Sequence, residues 1–202
     1  MRYAAIGVGL ALLVILSWGI WHRSHDIRNY PSSGTDIVAF GDSLVWGEGS
    51  DQGKDFVSLL SQKIGQPIVN LGNPGDTTAD GLARINALDK YHPKVVLLLL
   101  GGNDYLKRVP VDVTFANLGK IIENIQARGA IVVLLGVRGG VIDHFSGRFS
   151  DLSKKYETAY VSDVLSGLIG EPKYMFDEVH PNNAGYAIIA NRIYPVLAPL
   201  LK

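Results

Sequence analysis

Four short apolar runs constrain this chain more than any other feature: Ile37 to Phe40, Ile68 to Asn70, Val95 to Leu100 and Ile131 to Leu135. Each has the length of a strand, and their near-continuous hydrophobicity, without alternation, fits strands covered on both faces. Strands of that kind are parallel and need helical crossovers to connect them. Helical patterns occupy the intervals, at Phe56 to Ile64, Ala79 to Lys90 and Val113 to Arg128, and a last one runs from Asn183 to Leu201. The order is β-α-β-α-β-α-β, then a looser stretch, then the closing helix, with a weaker fifth strand near Tyr160 or Tyr174. The fold expected is an α/β three-layer α/β/α sandwich with a parallel, flavodoxin-like sheet and right-handed crossovers. In such a fold functional groups gather at the carboxyl ends of the strands.

The 202 residues divide into an N-terminal membrane segment (1–22), a linker (23–35) and one domain of ordinary size (36–202). From Ala4 to Trp21 there is no charge, and at 1.5 Å per residue the stretch spans roughly 27 Å, just enough for a bilayer core. Trp18 and Trp21 would sit at the interface, which favours an uncleaved transmembrane helix. A cleaved secretory signal is the alternative, with Ser17-Trp18-Gly19 as a poor cleavage site. Either way the expected location of the domain is periplasmic or extracellular, tethered to the membrane if the helix is kept. Pro31, Ser32, Ser33 and Gly34 read as a flexible connector. Lys plus Arg (19) balance Asp plus Glu (19), so no long-range field would gather nucleic acid. The absence of cysteine excludes disulfides, thiolate metal sites, a cysteine nucleophile and a lipid-modified cysteine.

The polar oddities of the sequence fall just after the strands. Gly41-Asp42-Ser43-Leu44 follows the first, Gly72 to Thr77 the second, Gly101-Gly102-Asn103-Asp104 the third, and the loop from Gly136 to Gly147 the fourth. Asp177 and His180 come late, before the last helix. A serine hydroxyl is a weak nucleophile until an imidazole can take its proton, and that imidazole needs a third group to fix its tautomer. In Asp177-Glu178-Val179-His180 a three-residue spacing lets a carboxylate accept from the Nδ1 of the same histidine, leaving Nε2 free for Ser43. The expected triad is Ser43, His180 and Asp177. Ester cleavage also needs donors aimed at a tetrahedral oxyanion. The backbone N–H of Gly75, the side-chain amide of Asn103 and the N–H of Ser43 are the candidates. No serine lies in a G-x-S-x-G elbow, so the scaffold differs from the α/β-hydrolases.

Gly41-Asp42-Ser43-Leu44, Asn70 to Thr77, Gly102-Asn103-Asp104 and Asp177-x-x-His180-Pro181 resemble the four sequence blocks of the SGNH/GDSL hydrolase family, in the family's order. The wording around Gly75-Asp76-Thr77 and Gly101 to Asp104 is similar to its bacterial thioesterase I, arylesterase and lysophospholipase L1 group. The resemblance implies Ser43 as nucleophile, His180 as base, Asp177 as its partner, and Ser43, Gly75 and Asn103 as oxyanion donors. It implies a hydrolase of carboxylic esters or thioesters, working through an acyl-serine, with no cofactor and no metal. The departure is upstream, since that group is often made as cleaved periplasmic proteins.

Taken singly, each of these residues has a bland reading: Ser43 as a helix cap, Asn103 and Gly75 as turn residues, Pro181 as a helix start. Their joint occurrence in order is what carries the hydrolase. His92 reads as a solvated loop residue, and Asp42 and Asp104 as braces accepting backbone N–H bonds. Asp143 and His144 lack the further ligands a catalytic metal needs and are expected in the cleft wall. Tyr105, Leu106, Val141, Ile142 and Phe145 are apolar enough to line an acyl groove, which favours fatty acyl or aryl esters, lysophospholipids among them. The alternatives are a carbohydrate O-acetyl esterase, an O-acyltransferase with the same triad, and a non-catalytic binding module. The expected partners are a small ester or lipid and the membrane, for a monomeric chain.

Overall fold

A computed structural model describes residues 27–137 and 145–202. The strands are β1 (Asp36–Gly41), β2 (Ile68–Gly72), β3 (Pro93–Leu99), β4 (Ile131–Leu135) and β5 (Ala159–Val161), all parallel, in the order β2-β1-β3-β4-β5. The helices are α1 (Ser43–Trp46), α2 (Phe56–Ile64), α3 (Thr78–Ala83), α4 (Gly102–Leu106), α5 (Val111–Ala127), α6 (Ser146–Tyr156) and α7 (Asn183–Leu197). From β1 the chain steps one way to β2, then crosses back over β1 to β3, β4 and β5. With right-handed crossovers this reversal puts α2 on one face and α3, α5 and α6 on the other. The packing agrees: α7 lies against α2, while α5 lies against α3 and α6. The chain therefore reverses between β1 and β3, where such sheets open a crevice beyond their carboxyl ends.

The continuous apolar runs are explained by what covers them. Val95 to Leu100 and Ile131 to Leu135 are buried throughout, whereas β2, at the sheet edge, is only half-buried. Helix α2 begins and ends as its sequence dictates. Asp55 caps it by accepting from the Ser58 N–H (2.8 Å), and Gly65 closes it at φ +70°.

Three expected elements differ in detail. The pattern from Ala79 to Lys90 is two pieces, α3 and a 3-10 turn (Ile85–Lys90), broken at Arg84, whose side chain is drawn back to the loops beyond β1 and β2. The closing pattern stops being α-helical at Leu197 and continues as a 3-10 turn, Ala198–Leu201, containing Pro199. The looser stretch contains α6, a charged helix whose Phe149 and Leu152 are its buried anchors. The fifth strand forms at Tyr160, while Tyr174 lies in the loop before α7. Among the described residues, Asn183–Leu201 is the one helical stretch long and apolar enough to cross a bilayer. It is instead the domain's own closing helix, burying Tyr186, Ile189, Ile193 and Leu197 in the core.

The N-terminal segment expected to enter the membrane lies outside the described residues. Of the expected connector, the part from Ile27 onward is fastened rather than slack. The Arg28 N–H donates to the Glu157 carbonyl, the Asn29 side chain to the carbonyls of Gln126 and Ala130 (both 2.9 Å), and the Ser32 hydroxyl to that of Gly129. Those acceptors all precede β4 or β5, so this strap runs along the amino-terminal ends of the strands. Thr35 and Asp36 complete it by donating to the carbonyl of His92, just ahead of β3. His92 itself is exposed there.

Candidate active site

Ser43 opens α1, a single turn directly after β1. Asp42 caps that turn, its side chain accepting from the Leu44 N–H (3.0 Å). The turn can sit this low because Gly72 has no side chain: a Cβ there would fall 2.2 Å from the Trp46 nitrogen. Asn70 ties the same turn to β2 by donating to the Val45 carbonyl (2.7 Å). Ser43 is thus nearly buried, and its own N–H, in the first turn of a helix, finds no acceptor among the described residues.

The segment before α7 delivers the imidazole. Its turn is closed by Asp177, whose Oδ1 accepts from the backbone N–H groups of Val179 (2.8 Å) and His180 (2.7 Å). The other oxygen, Oδ2, lies 2.7 Å from His180 Nδ1, and His180 Nε2 lies 3.0 Å from Ser43 Oγ. With Nδ1 donating to the carboxylate, Nε2 is the acceptor the Ser43 hydroxyl requires. Burial alone would raise the Asp177 carboxyl, but the hydrogen bonds from His180 and from the two backbone N–H groups outweigh it and hold the group at about 2. Asp177 is therefore ionised at any working pH. Asn182 fastens the loop to α7, capping the helix at Ala184 while donating to the carbonyls of Lys173 and Met175.

The loops after β2 and β3 bring Gly75 and Asn103 together. Gly75 has φ +84°, a conformation open to glycine, and its N–H has no acceptor among the described residues. Asn103 Nδ2 donates one hydrogen to the Asp76 carbonyl (2.9 Å), and the other finds no acceptor among the described residues. Asp104, fully buried, accepts from both the N–H (2.8 Å) and the hydroxyl (2.6 Å) of Thr78, clamping the β3 loop to the start of α3. Asp42, likewise out of water, is pushed up to about 7 by burial, with the nearby Asp76 charge adding to that and the Leu44 N–H opposing it. The two aspartates expected as loop braces do accept backbone N–H bonds, one within its own turn and one across two loops.

Of the expected groove residues, Tyr105 and Leu106 are exposed on α4. Phe145 is a correction: it is buried, packed edge-on against Phe115 and behind the Tyr105 ring (centroids 6.1 Å apart), so it backs the surface without forming it. Val141, Ile142, Asp143 and His144 lie outside the described residues. Two exposed aromatics escape the sequence pattern: Trp46, 59 % exposed and three residues from Ser43, and Phe176, 66 % exposed and adjacent to Asp177. A large aromatic beside each of the Gly41–Leu44 and Asp177–Pro181 motifs is the available signal. Phe176 is part of the wall of an open pocket of about 570 Å³, lined also by Glu48, Asp51, Lys173 and Asn183 among others. Its walls continue the two triad segments, since Glu48 donates its N–H to the Ser43 carbonyl and Phe176 to that of His180.

The chain is similar to several known proteins. The profile of the GDSL-like lipase/acylhydrolase family matches residues 39–188. Esterase TesA of Pseudomonas aeruginosa is 32 % identical over 178 residues, covering 82 % of this chain and 89 % of its own length. Thioesterase 1/protease 1/lysophospholipase L1 of Escherichia coli K12 is 30 % identical over 176 residues, covering 82 % and 85 %. The crystal structure of a TesA superposes with a TM-score of 0.78 at 31 % identity, covering 82 % of this chain and 99 % of that one.

Proposed function

Since this chain belongs to the GDSL-like lipase/acylhydrolase family, and so is a serine hydrolase of esters and thioesters, we propose that Ser43 is its nucleophile, His180 its general base and Asp177 the group that orients the base. The observation that carries this is the continuous relay from Asp177 Oδ2 through His180 to Ser43 Oγ, at 2.7 and 3.0 Å. Ser43 Oγ attacks the acyl carbon as its proton passes to His180 Nε2. The carbonyl oxygen, now negative, accepts from the N–H groups of Ser43 and Gly75 and from Asn103 Nδ2. Collapse restores the carbonyl and breaks the bond to the leaving alcohol or thiol, which takes the proton from His180. Water repeats the cycle on the acyl-Ser43, releasing the acid and the free serine.

For the acyl part, the exposed Trp46, Tyr105 and Leu106 support fatty acyl or aryl substrates. A second reading, an ester of a polar alcohol such as a carbohydrate, is favoured by the open pocket walled by Phe176, whose N–H donates to the His180 carbonyl, and by Glu48, Asp51, Lys173 and Asn183. The domain works outside the cytoplasm, held by the N-terminal apolar segment.

p-Nitrophenyl ester hydrolysis across acyl chain lengths by the full chain in detergent, beside Ser43→Ala, tests both. Loss of roughly 10⁴-fold or more in kcat with an unchanged melting temperature is expected of Ser43→Ala. Turnover of esters of eight or more carbons supports the acyl reading, and restriction to acetyl esters supports the polar-alcohol one. Retention of activity in Ser43→Ala would overturn the triad.

A further inference from the structure

The three proposed oxyanion donors stand on three separate loops, and a donor misplaced by an ångström loses most of its value. Something must hold the loops in register. One side chain touches them all, directly or through one intermediate. Arg84, at the break between α3 and the following 3-10 turn, donates from Nη2 to the Gly41 carbonyl (2.8 Å), two residues before Ser43. From Nε it pairs with the Asp76 carboxylate, on the residue next to Gly75. The other oxygen of that carboxylate accepts from the Asn73 side chain, and the Asp76 backbone carbonyl accepts from Asn103. The guanidinium lies over the Phe40 ring, 4.2 Å from its centroid. The plane of the cation is thereby fixed between a strand residue and the two loops.

The geometry points to Arg84 as a positioning residue for catalysis: through Gly41 and Asp76 it sets the mutual placement of the Ser43, Gly75 and Asn103 donors. It does not touch the reacting atoms. Its partner Asp76 is only 6 % exposed, so the carboxylate depends on this cation for compensation. Lysine, a point charge on a flexible stem, can keep the charge but cannot make the forked contact to two loops at once. The inference rests on the proposed triad and oxyanion donors.

The test compares Arg84→Gln, Arg84→Lys, Asn103→Ala and the double variant Arg84→Gln/Asn103→Ala in the full chain. Readouts are steady-state hydrolysis of a short p-nitrophenyl ester, the inhibition constant of an alkylboronic acid as tetrahedral mimic, and thermal unfolding. Arg84→Gln is expected to lower kcat about 100-fold with KM within about threefold, and Arg84→Lys to recover part of that loss. Boronate affinity should fall in step with kcat. The double variant should be scarcely slower than Asn103→Ala alone, because both changes disable the same hole. An increase in KM at constant kcat, unchanged boronate affinity, or fully multiplicative losses would overturn the assignment. Where Arg84→Gln does not fold, Arg84→Lys decides by the same readouts, and loss of the fold in Arg84→Lys too would reduce Arg84 to a structural role. Ser43→Ala is the control for the underlying reading: if it stays active, the failure lies in the triad and not in Arg84.

Discussion

The two halves of the proposed site are built on different principles. The acid–base half, Asp177 and His180, is assembled within four consecutive residues, and the Asp177 side chain is 43 % exposed. The donor half is assembled from the ends of three strands and braced by Asp42, Asp76 and Asp104, all withdrawn from water. The first half keeps its geometry by local hydrogen bonds that water can compete for. The second keeps it by tertiary contacts that cannot form unless the whole sheet is in place. A mobile proton carrier tolerates some adjustment, whereas dipoles that must already be aimed when charge develops do not.

The largest effect that should separate the halves is Asp177→Asn. The amide can present Nδ1 of His180 with a donor and so favour the wrong tautomer, and a loss of about 10⁴-fold in kcat at neutral pH is expected. Because the loop is local and its carboxylate half-exposed, the melting temperature at pH 7 should fall only by the solvent-screened contribution of the ionised Asp177. A large fall in melting temperature instead would show the loop to be as integral as the donor half.

Next in size is the opposite pH linkage of the two carboxylates. Asp42 titrates at about 7 when folded and near 3.8 when unfolded, so between those values the folded state holds a proton the unfolded state lacks. Its contribution therefore declines as pH rises from about 4 to 7, by up to about 4 kcal/mol in all, and is level above. Asp177, depressed to about 2, contributes stability present above pH 4 and lost as pH falls toward 2. Denaturant unfolding from pH 2 to 8 should show that Asp42→Asn removes the first trend and leaves the second. Identical pH profiles for wild type and Asp42→Asn would mean Asp42 is not buried as a neutral acid.

The smallest effect probes the clamp under the donor half. Thr78→Val removes the hydroxyl that donates to Asp104 (2.6 Å) while keeping the shape. It should destabilise the domain by about 1.5–3 kcal/mol, the range for hydrogen bonds to charged groups, read as a lower urea midpoint at constant m-value. No change would mean that the Thr78 N–H and the Thr114 hydroxyl suffice to hold Asp104.

The same contrast explains what could be read without coordinates. Asp177 and His180 were legible because their relation is a sequence spacing, and the four buried strands because hydrophobicity without alternation has one economical explanation. Arg84 was not legible. In sequence it is one polar residue in an apparently continuous helical pattern, and only the crossing of β2 over β1 to β3 brings it under both Gly41 and Asp76. Phe145 misled for a related reason: an aromatic residue in a loop after a strand looks like a groove wall, but α5 supplies Phe115 to bury it. Helix α6 was obscured by its charge, since so few of its residues reach the core.

The strap from Ile27 to Thr35 has an orientational consequence. It is fastened beside the amino-terminal ends of the strands, whereas Ser43 lies beyond the carboxyl end of β1, a strand length of roughly 20 Å away. Whatever precedes Ile27 thus joins the domain at the pole opposite the catalytic mouth. Esters therefore reach Ser43 from the end of the domain farthest from Ile27.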